Sequence, residues 1–489
     1  MPIFSPRPFQ QAYYPVEPDQ QWLTRVFTAL ERSAKGVLFG CRMCGNCILQ
    51  ETAFVCPMTC AKGLRNGFCG EASEAGCVVD ASRPCTWLTI FRRAERMGRM
   101  ERLLEINAPI DGSQAGHSAQ MPFLKHWWGR KQPSLPDLLL NPGRFGEAWE
   151  ALCLEFRQPA WWQGDSRYHP AGYAEPVSAL EAALRTRPLV VTAEIEPVAD
   201  SDPQALMAKA QSFRGRVVTA NFSDNAFATS RMSSLACSKL SLESGLEPVM
   251  QIQARDRSRN GILSEVTGAS ALGIRNILCL GGDYHNKGPA PYPMQPDQFD
   301  VDAIQILWML RRLRDEGKHI DGREVRVRPK YFLGAAGSPF TLRPAYNAIR
   351  TEKKINAGAQ FIQTQMVFDH QAFVDWLEAL DKRSLLDKVH ILAGVSPLRS
   401  LADARSLASE PGISIPSAIV RRMERAAEKG GGEPGDGSRA AAAEGISIAV
   451  EMVDRLAHTP GIRGIHLMVG GQEENLPLIL DQTGLPTAR

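Results

Sequence analysis

The chain has 489 residues, which is too long for one ordinary hydrophobic core and predicts two or three domains. Its 56 Lys and Arg residues nearly balance its 53 Asp and Glu residues, so the charge gives no support for nucleic acid or an anionic membrane as the main partner. A hydrophobic content of 44% with 22% charged residues is typical of soluble globular proteins, and no stretch approaches the roughly 18 uninterrupted apolar residues of a membrane span.

The first predicted element is an amphipathic helix in the sequence QWLTRVFTALERSAKG, ending at Gly36. One of its faces carries Trp22, Leu23, Val26, Phe27 and Leu30. The preceding MPIFSPRPFQ has neither the apolar run nor the small-residue cleavage site of a secretion signal. We therefore expect a cytoplasmic protein, in which thiols stay reduced.

Eight of the eleven cysteines fall within residues 41–85. They are Cys41, Cys44, Cys47, Cys56, Cys60, Cys69, Cys77 and Cys85. The first three are spaced three residues apart, which suits three ligands of one iron–sulfur cluster that come from a single turn. Cys56, followed by Pro57, is suited to be the fourth ligand of that cluster. The gap before Cys56 is longer than in the bacterial ferredoxin run. Because the eight thiols divide into two sets of four, they predict one or two [4Fe-4S] clusters.

Two alternatives compete with iron–sulfur at these cysteines. Zinc also binds four thiolates, so zinc in one or both sets stays open. A disulfide framework requires an oxidising compartment, which this N-terminus does not predict. We favour iron–sulfur in at least one set.

After the cysteines, residues 87–106 have a helical period, and residues 107–186 carry many tryptophans and prolines with little periodicity. We interpret 1–106 as a cysteine-rich domain and 107–186 as a connector that packs between two domains, since tryptophans favour burial. Cys153, Cys237 and Cys279 are interpreted as small buried apolar residues.

From residue 187 onwards, short apolar strands alternate with helices. The predicted strands are 189–195, 217–221, 248–253, 276–280, 331–334, 361–365, 389–394 and 464–468. Predicted helices include one that begins near Asp202-Pro203 and others at 300–316, 345–357 and 371–380. Eight strand–helix units predict an α/β fold, a (β/α)8 TIM barrel over 187–489, with a doubly wound sheet as the alternative. The glycine-rich stretch 429–445 is predicted as a surface loop.

In such a barrel, polar side chains at the carboxyl ends of the strands face the active site. The residues selected by this rule are Glu194, Asn221, Gln251, Gln253, Asp283 and Gln365. The two carboxylates suit acid–base chemistry, and the amides suit the paired donors and acceptors of a heterocycle. Gly281 and Gly282 would let a flat cofactor approach the backbone.

These motifs resemble those of the flavin-dependent methylenetetrahydrofolate reductases. The similar stretches are Ala193–Pro197, Leu280–Asp283 and Lys353–Ala359, within a resemblance over about residues 188–488. The resemblance implies that Glu194 is the general acid that opens the methylene bridge of the folate. It implies that Asp283 binds the pterin and tunes the flavin, and that Gln365 holds the folate.

The same resemblance implies a flavin, FAD with FMN possible, near Asn221, Gln251, Gly281, Gly282, Asp283 and Lys354. Arg421 and Arg425 occupy positions where nicotinamide-using members carry a glutamine and an aromatic ring, so the electron partner, another protein or NAD(P)H, stays open. The substrate implied is a tetrahydrofolate, and a homo-oligomer is possible.

The cysteine-rich domain resembles the small partner protein of acetogen-type reductases, which implies single-electron transfer from clusters to the flavin. Two other functions stay in play. One is a non-catalytic electron-transfer or scaffold subunit of a one-carbon complex, and the other is a folate-dependent methyltransferase, which would bind no flavin.

Overall fold

The computed structural model describes residues 21–118, 162, 166–284, 299–429 and 436–485. Most of the predicted connector lies outside this part of the chain, as do Cys153, Trp127, Trp128 and Trp161. Trp162 is described and buried, and its ring stacks on that of Trp308 with centroids 3.9 Å apart.

Eight parallel strands close into a barrel in sequence order, which confirms the predicted fold class. The strands are β1 (Val190–Ile195), β2 (Thr219–Phe222), β3 (Glu247–Gln253), β4 (Asn276–Leu280), β5 (Phe332–Gly337), β6 (Phe361–Met366), β7 (His390–Val395) and β8 (Ile462–Leu467). Most strand residues are buried, as expected for parallel strands covered by helices. The strands could be predicted from the sequence because each is a run of apolar residues.

The helices alternate with these strands and extend to both ends of the described chain. They are α1 (Gln21–Phe39), α2 (Thr86–Arg96), α3 (Ala179–Thr186), α4 (Pro203–Phe213), α5 (Ser234–Glu243), α6 (Arg259–Ala271), α7 (Ala303–Asp315), α8 (Pro344–Ala357), α9 (His370–Asp381), α10 (Leu401–Ser409), α11 (Ser417–Lys429), α12 (Asp436–Ala457) and α13 (Asn475–Thr483). The predicted start of α4 is confirmed, since the Asp202 carboxylate accepts hydrogen bonds from the first turn. None of the described helices is long and apolar enough to cross a membrane.

Three sequence predictions were wrong at their boundaries. The first helix does not end at Gly36 but continues to Phe39. The helix predicted over 87–106 ends at Arg96, because Gly98 adopts a left-handed φ of 64° before a short 3-10 turn. Residues 436–445 of the predicted glycine-rich loop are helical, and 430–435 lie outside the described residues.

The cysteine-rich segment packs against loops that follow β4 and β5. Asp302, which caps α7, accepts hydrogen bonds from the backbone N–H of Arg65 and the side chain of Asn66, at 3.3 and 2.9 Å. The Thr341 hydroxyl donates to the carbonyl of Gly70 at 2.9 Å. One continuous hydrophobic core includes residues of both the segment and the barrel. The cysteines are therefore held on the side of the barrel where its site is expected.

Candidate active site and cysteine cavities

Glu194 lies near the carboxyl end of β1 and is half-buried. Burial raises the pKa of its carboxyl to about 7, a hydrogen bond from Gln251 opposes this rise, and the charges of Glu196 and Glu473 add to it. Glu196 pairs with Arg231 at 2.6 Å and Glu473 with Lys209 at 2.9 Å. Among the described residues, no cation pairs with Glu194, so no neighbouring positive charge offsets the effect of burial on its pKa.

Gln251 on β3 stands beside Glu194. Its Nε2 lies 3.5 Å from Glu194 Oε2, at the outer limit of a hydrogen bond. The backbone N–H of Gln251 donates to the hydroxyl of Ser234 at 3.0 Å, which fixes the strand at this point. The structure therefore brings together these two of the residues predicted from the sequence.

Asn221 on β2 is fully buried and belongs to a polar network inside the barrel. Its amide exchanges two hydrogen bonds with Gln363, at 2.6 and 3.2 Å. The ring of His466 lies 2.9 Å from the Thr192 hydroxyl and 3.5 Å from Gln363, and burial lowers the pKa of His466 to about 3. In the buried interior, the neutral ring of His466 and the paired amides of Asn221 and Gln363 satisfy one another's hydrogen-bonding groups. The side chain of Asn221 is therefore already engaged in this network.

Asp283 follows β4 and is half-buried, and its carboxylate is held by the loop after β2. The backbone N–H of Phe227 donates to Asp283 Oδ2 at 2.8 Å, and Phe227 has a left-handed φ of 53°. Arg255 donates to the backbone carbonyl of Asp283 at 3.3 Å. A strained aromatic residue that anchors a carboxylate is the kind of feature that clusters at functional sites.

The two glycines before Asp283 have different surroundings. Gly282 has a φ of 88°, and a Cβ there would lie 2.4 Å from the amide oxygen of Gln253, so packing within the protein requires this glycine. A Cβ at Gly281 would meet no atom within 4 Å. Only Gly281 therefore has the open surroundings that the sequence interpretation assigned to both.

Gln365 and Lys354 lie on the β5–β6 side of the barrel. Gln365 is half-buried near the end of β6, where the register with β7 shifts between Gln363 and Met366. Such irregularities re-aim side chains next to active sites. Lys354 on α8 is buried and donates to the carbonyl of Ala336 on β5. Burial and the charge of Arg350 hold the pKa of Lys354 well below its usual range.

The eight cysteines line two separate cavities, four to each. Cys41, Cys44, Cys47 and Cys56 line the first cavity, and Cys60, Cys69, Cys77 and Cys85 line the second. The spaces between the surrounding atoms are similar in the two cavities, about 380 and 370 Å³, and include volume open to solvent. The partition matches the two sets of four expected from the sequence, with Cys56 joining the first three.

Local backbone geometry presents these thiols. In the first cavity, Met43 and Gly45 have positive φ angles of 50° and 75°, which tighten the turn between the first three cysteines. In the second, Cys85 is the residue that caps α2. Burial raises the pKa of Cys47 and of Cys56, and it raises the pKa of Cys60 to about 12. Because these pKa values are raised, the thiols lose their protons at a high cost in free energy when nothing is bound. They would act as thiolate ligands only with a bound positive charge beside them.

In the part of the chain that the structure describes, no group of three or more His, Cys, Asp or Glu residues is arranged to hold a metal ion. The metal set predicted from the sequence, iron–sulfur or zinc, stays a prediction.

The second cavity adjoins the mouth of the barrel. The carbonyl of Lys62, a residue of its lining, accepts from the N–H of Phe299 at 3.2 Å. Burial acts to lower the pKa of Lys62, but the charges of Cys69, Glu71 and Asp283 together raise it. The charges of a cysteine of the second cavity and of the carboxylate predicted to bind substrate thus both act on Lys62.

A closed barrel with a carboxyl of raised pKa at its mouth and a second carboxylate in the loop after β4 defines the chain as an α/β-barrel protein. The chain belongs to the methylenetetrahydrofolate reductase family, whose model matches residues 180–484, more than half of the chain. A second model, described as the C terminal of methylene-tetrahydrofolate reductase, matches residues 21–113, ahead of the barrel in this chain.

Comparison with curated proteins gives no match. Among solved structures, an uncharacterised Clostridium thermocellum protein, described as binding two copies of 5-methyl-5,6,7,8-tetrahydrofolic acid, is 15% identical, with a TM-score of 0.42 over 63% of this chain and 99% of its own. A 2,3-dimethylmalate lyase is 10% identical, with a TM-score of 0.33 over 64% and 90% of the two chains. Tryptophan synthase from M. tuberculosis is 13% identical, with a TM-score of 0.28 over 57% and 98%.

Proposed function

We propose that the chain is a flavin-dependent oxidoreductase that interconverts 5,10-methylenetetrahydrofolate and 5-methyltetrahydrofolate. The observation that carries this proposal, in a chain of this family, is the Glu194 carboxyl, whose pKa of about 7 lets it both hold and release a proton under neutral conditions. Its neighbours Glu196 and Glu473 are ion-paired with Arg231 and Lys209.

The residues at the barrel mouth fit a flavin and a folate. Gly281 has open surroundings, Lys354 is a buried amine whose charged form a phosphate would favour, and Asp283 offers a fixed carboxylate that can accept hydrogen bonds from a pterin. A bound flavin would supply hydride transfer to and from the one-carbon unit. FAD is our choice, with FMN as the alternative.

In the reducing direction, Glu194 donates its proton to a nitrogen of the methylene bridge, the carbon–nitrogen bond at that nitrogen breaks, and the carbon becomes an electrophilic iminium. Gln251 keeps the Glu194 side chain oriented through its amide. Asp283 and Gln365 hold the folate in place, and the ionised Glu194 takes the proton back in the opposite direction.

The cysteine cavities support a relay of electrons to this site. Four buried thiols around each cavity are the donor set of a [4Fe-4S] cluster, which would supply single electrons at the edge of the barrel. Because the second cavity packs against the loops after β4 and β5, its cysteines lie on the side of the barrel where the proposed flavin would bind. Zinc in one or both sets would leave the barrel chemistry in place and remove the relay.

The test starts with protein purified without oxygen, analysed by absorption spectroscopy and metal analysis. Flavin bands and about eight irons per chain, as two four-iron clusters require, are expected. Oxidation of 5-methyltetrahydrofolate with an artificial electron acceptor then measures turnover. Glu194→Gln should lose this turnover yet keep flavin that dithionite reduces, whereas Glu243→Gln, at an exposed pair with Lys239, should behave as wild type.

Protein that binds no flavin would overturn the reductase and favour the methyltransferase. Flavin without folate turnover under any electron acceptor would favour the electron-transfer or scaffold subunit.

A further inference from the structure

Two cations lie one turn apart on α8, where the cysteine segment meets the barrel. The Arg350 guanidinium stands over the ring of Phe68, 5.1 Å from its centroid. The Arg350 stem also passes Gly67, where a Cβ would lie 3.8 Å from Arg350 Cγ. Lys354 contacts β5 through the carbonyl of Ala336. Arg350 therefore extends towards the cysteine segment and Lys354 towards the barrel.

This pair of cations has no acidic partner at close range. Among the described residues, no carboxylate forms an ion pair with Arg350 or Lys354, and the nearest charge of that sign acting on both is Asp302. Like charges at positions i and i+4 of a helix destabilise each other, and buried charges are costly without a counter-ion. Arg350 is half-buried in these surroundings, so an anion beside it would stabilise its charge.

The anion on the Arg350 side belongs to the second cavity. Phe68, beneath the guanidinium, and its neighbour Cys69 both line that cavity. Burial lowers the pKa of Arg350 to about 10, and the charge of Cys69 opposes this. Lys62 is the other cation near Cys69, but it forms an ion pair with Glu71 at 2.7 Å. Arg350, by contrast, forms no ion pair with any described residue, and Asp302 is the carboxylate whose charge acts on it.

We propose that Arg350 is the counter-charge of the iron–sulfur group held by Cys60, Cys69, Cys77 and Cys85, and that it sets the reduction potential of this group. The inference rests on the proposed electron relay. Reduction adds one electron, and hence one negative charge, to a group already bound by thiolates. A fixed positive charge beside it stabilises the reduced form more than the oxidised form, so it raises the potential.

The experiment compares variants of the full chain, reconstituted without oxygen, by dye-mediated titration with dithionite followed by electron paramagnetic resonance. Arg350→Met keeps an apolar stem over Phe68 and removes the charge, whereas Arg350→Lys keeps the charge. Arg343→Gln, at the exposed start of the same helix, is the matched control because its partner is Glu95. Iron per chain is measured for each variant.

We expect Arg350→Met to shift one of two potentials to a more negative value, at wild-type iron content. Arg350→Lys should recover most of the shift, and Arg343→Gln should show none. A wild-type potential in Arg350→Met, or an equal shift in Arg350→Lys, would overturn the inference and leave the proposed reductase untouched.

If Arg350→Met loses iron, a second neutral variant shows whether the loss of charge or the loss of packing is the cause. If Arg350→Gln also loses iron while Arg350→Lys keeps it, the requirement is for charge, as proposed. If Arg350→Lys loses iron as well, the role is packing and the proposal fails. Wild-type protein that holds zinc and no iron would overturn both the inference and the relay, whereas the barrel chemistry is still tested by folate turnover with artificial electron carriers.

Discussion

Gln251 Nε2 lies 3.5 Å from Glu194 Oε2, across two strands that are not neighbours in the barrel. β2 separates them, yet both side chains reach the same point at the mouth. The amide is the one hydrogen-bonding group, among the described residues, that opposes the effect of burial on this carboxyl. Burial therefore favours the protonated form of Glu194, and a single weak contact opposes it.

The first prediction concerns pH. The pKa of Glu194 is raised from 4.5 to about 7 in the folded protein, so the folded state holds the proton more tightly than the unfolded state does. The stability due to this proton is complete below pH 4.5 and is lost as pH rises through 7. The loss is on the order of 3 kcal/mol at about 1.4 kcal/mol per pKa unit.

Chemical denaturation at several pH values measures this effect. Glu194→Gln, which cannot ionise, should show a smaller fall in the free energy of unfolding between pH 5 and pH 8 than the wild type. Single-turnover reduction of 5,10-methylenetetrahydrofolate should decline above about pH 7 in the wild type. Parallel stability curves for the two proteins would contradict the assignment of the shift to Glu194.

The second prediction concerns Gln251. Replacing it with Leu removes the hydrogen bond that lowers the pKa of Glu194, so that pKa should rise further. The high-pH decline of the single-turnover rate should then move to higher pH. Gln251→Asn has a shorter side chain. It should behave like Gln251→Leu if the hydrogen bond to Glu194 requires the full length of the glutamine side chain. An unmoved pH profile with a lower rate would instead assign Gln251 a role in binding alone.

The third prediction uses adjacent glycines as each other's controls. Gly282→Ala should destabilise the fold, because its Cβ would lie 2.4 Å from the Gln253 amide and its φ of 88° is unfavourable for alanine. We expect a loss of about 1 to 3 kcal/mol, as is typical of strained backbone positions. Gly281→Ala meets no protein atom and should fold normally, but it should bind flavin more weakly. Thermal melting and flavin titration separate the two effects.

The fourth prediction concerns the partition of the cysteines. Cys47→Ser removes a ligand of the first cavity, and Cys77→Ser removes one of the second. Each variant should lose up to about four irons per chain and keep the other cluster. Cys237→Ala, in the barrel and outside both cavities, should retain the full iron content. Loss of all iron in either serine variant would show that the two sites do not load independently.

Much of the barrel could be predicted from the sequence, because each strand is a local apolar run. β4 was located to the residue, and the strand ends placed Glu194 and Asp283 as candidates from their positions alone. The ends of α1 and α2 could not be fixed in this way. A glycine such as Gly36 continues a helix or ends it according to its surroundings, which lie outside the local pattern.

Gln363 and His466 were missed, although both occupy strands that were correctly predicted. Their contacts with Asn221 and Thr192 join strands far apart in the sequence, and they exist only because the sheet closes on itself. Inward-facing polar residues on several strands were the signal that could have found them.

The sequence by itself determined the family resemblance, the positions of the strands along the chain and the number of clustered thiols, since these depend on local pattern and composition. Tertiary structure alone decided that the strands close into a barrel, why the pKa of Glu194 is raised, and that Arg350 lies over Phe68 beside Cys69. The physical reason is that burial and electrostatic interaction depend on distances in space, and the packing of the cysteine segment against the barrel sets those distances.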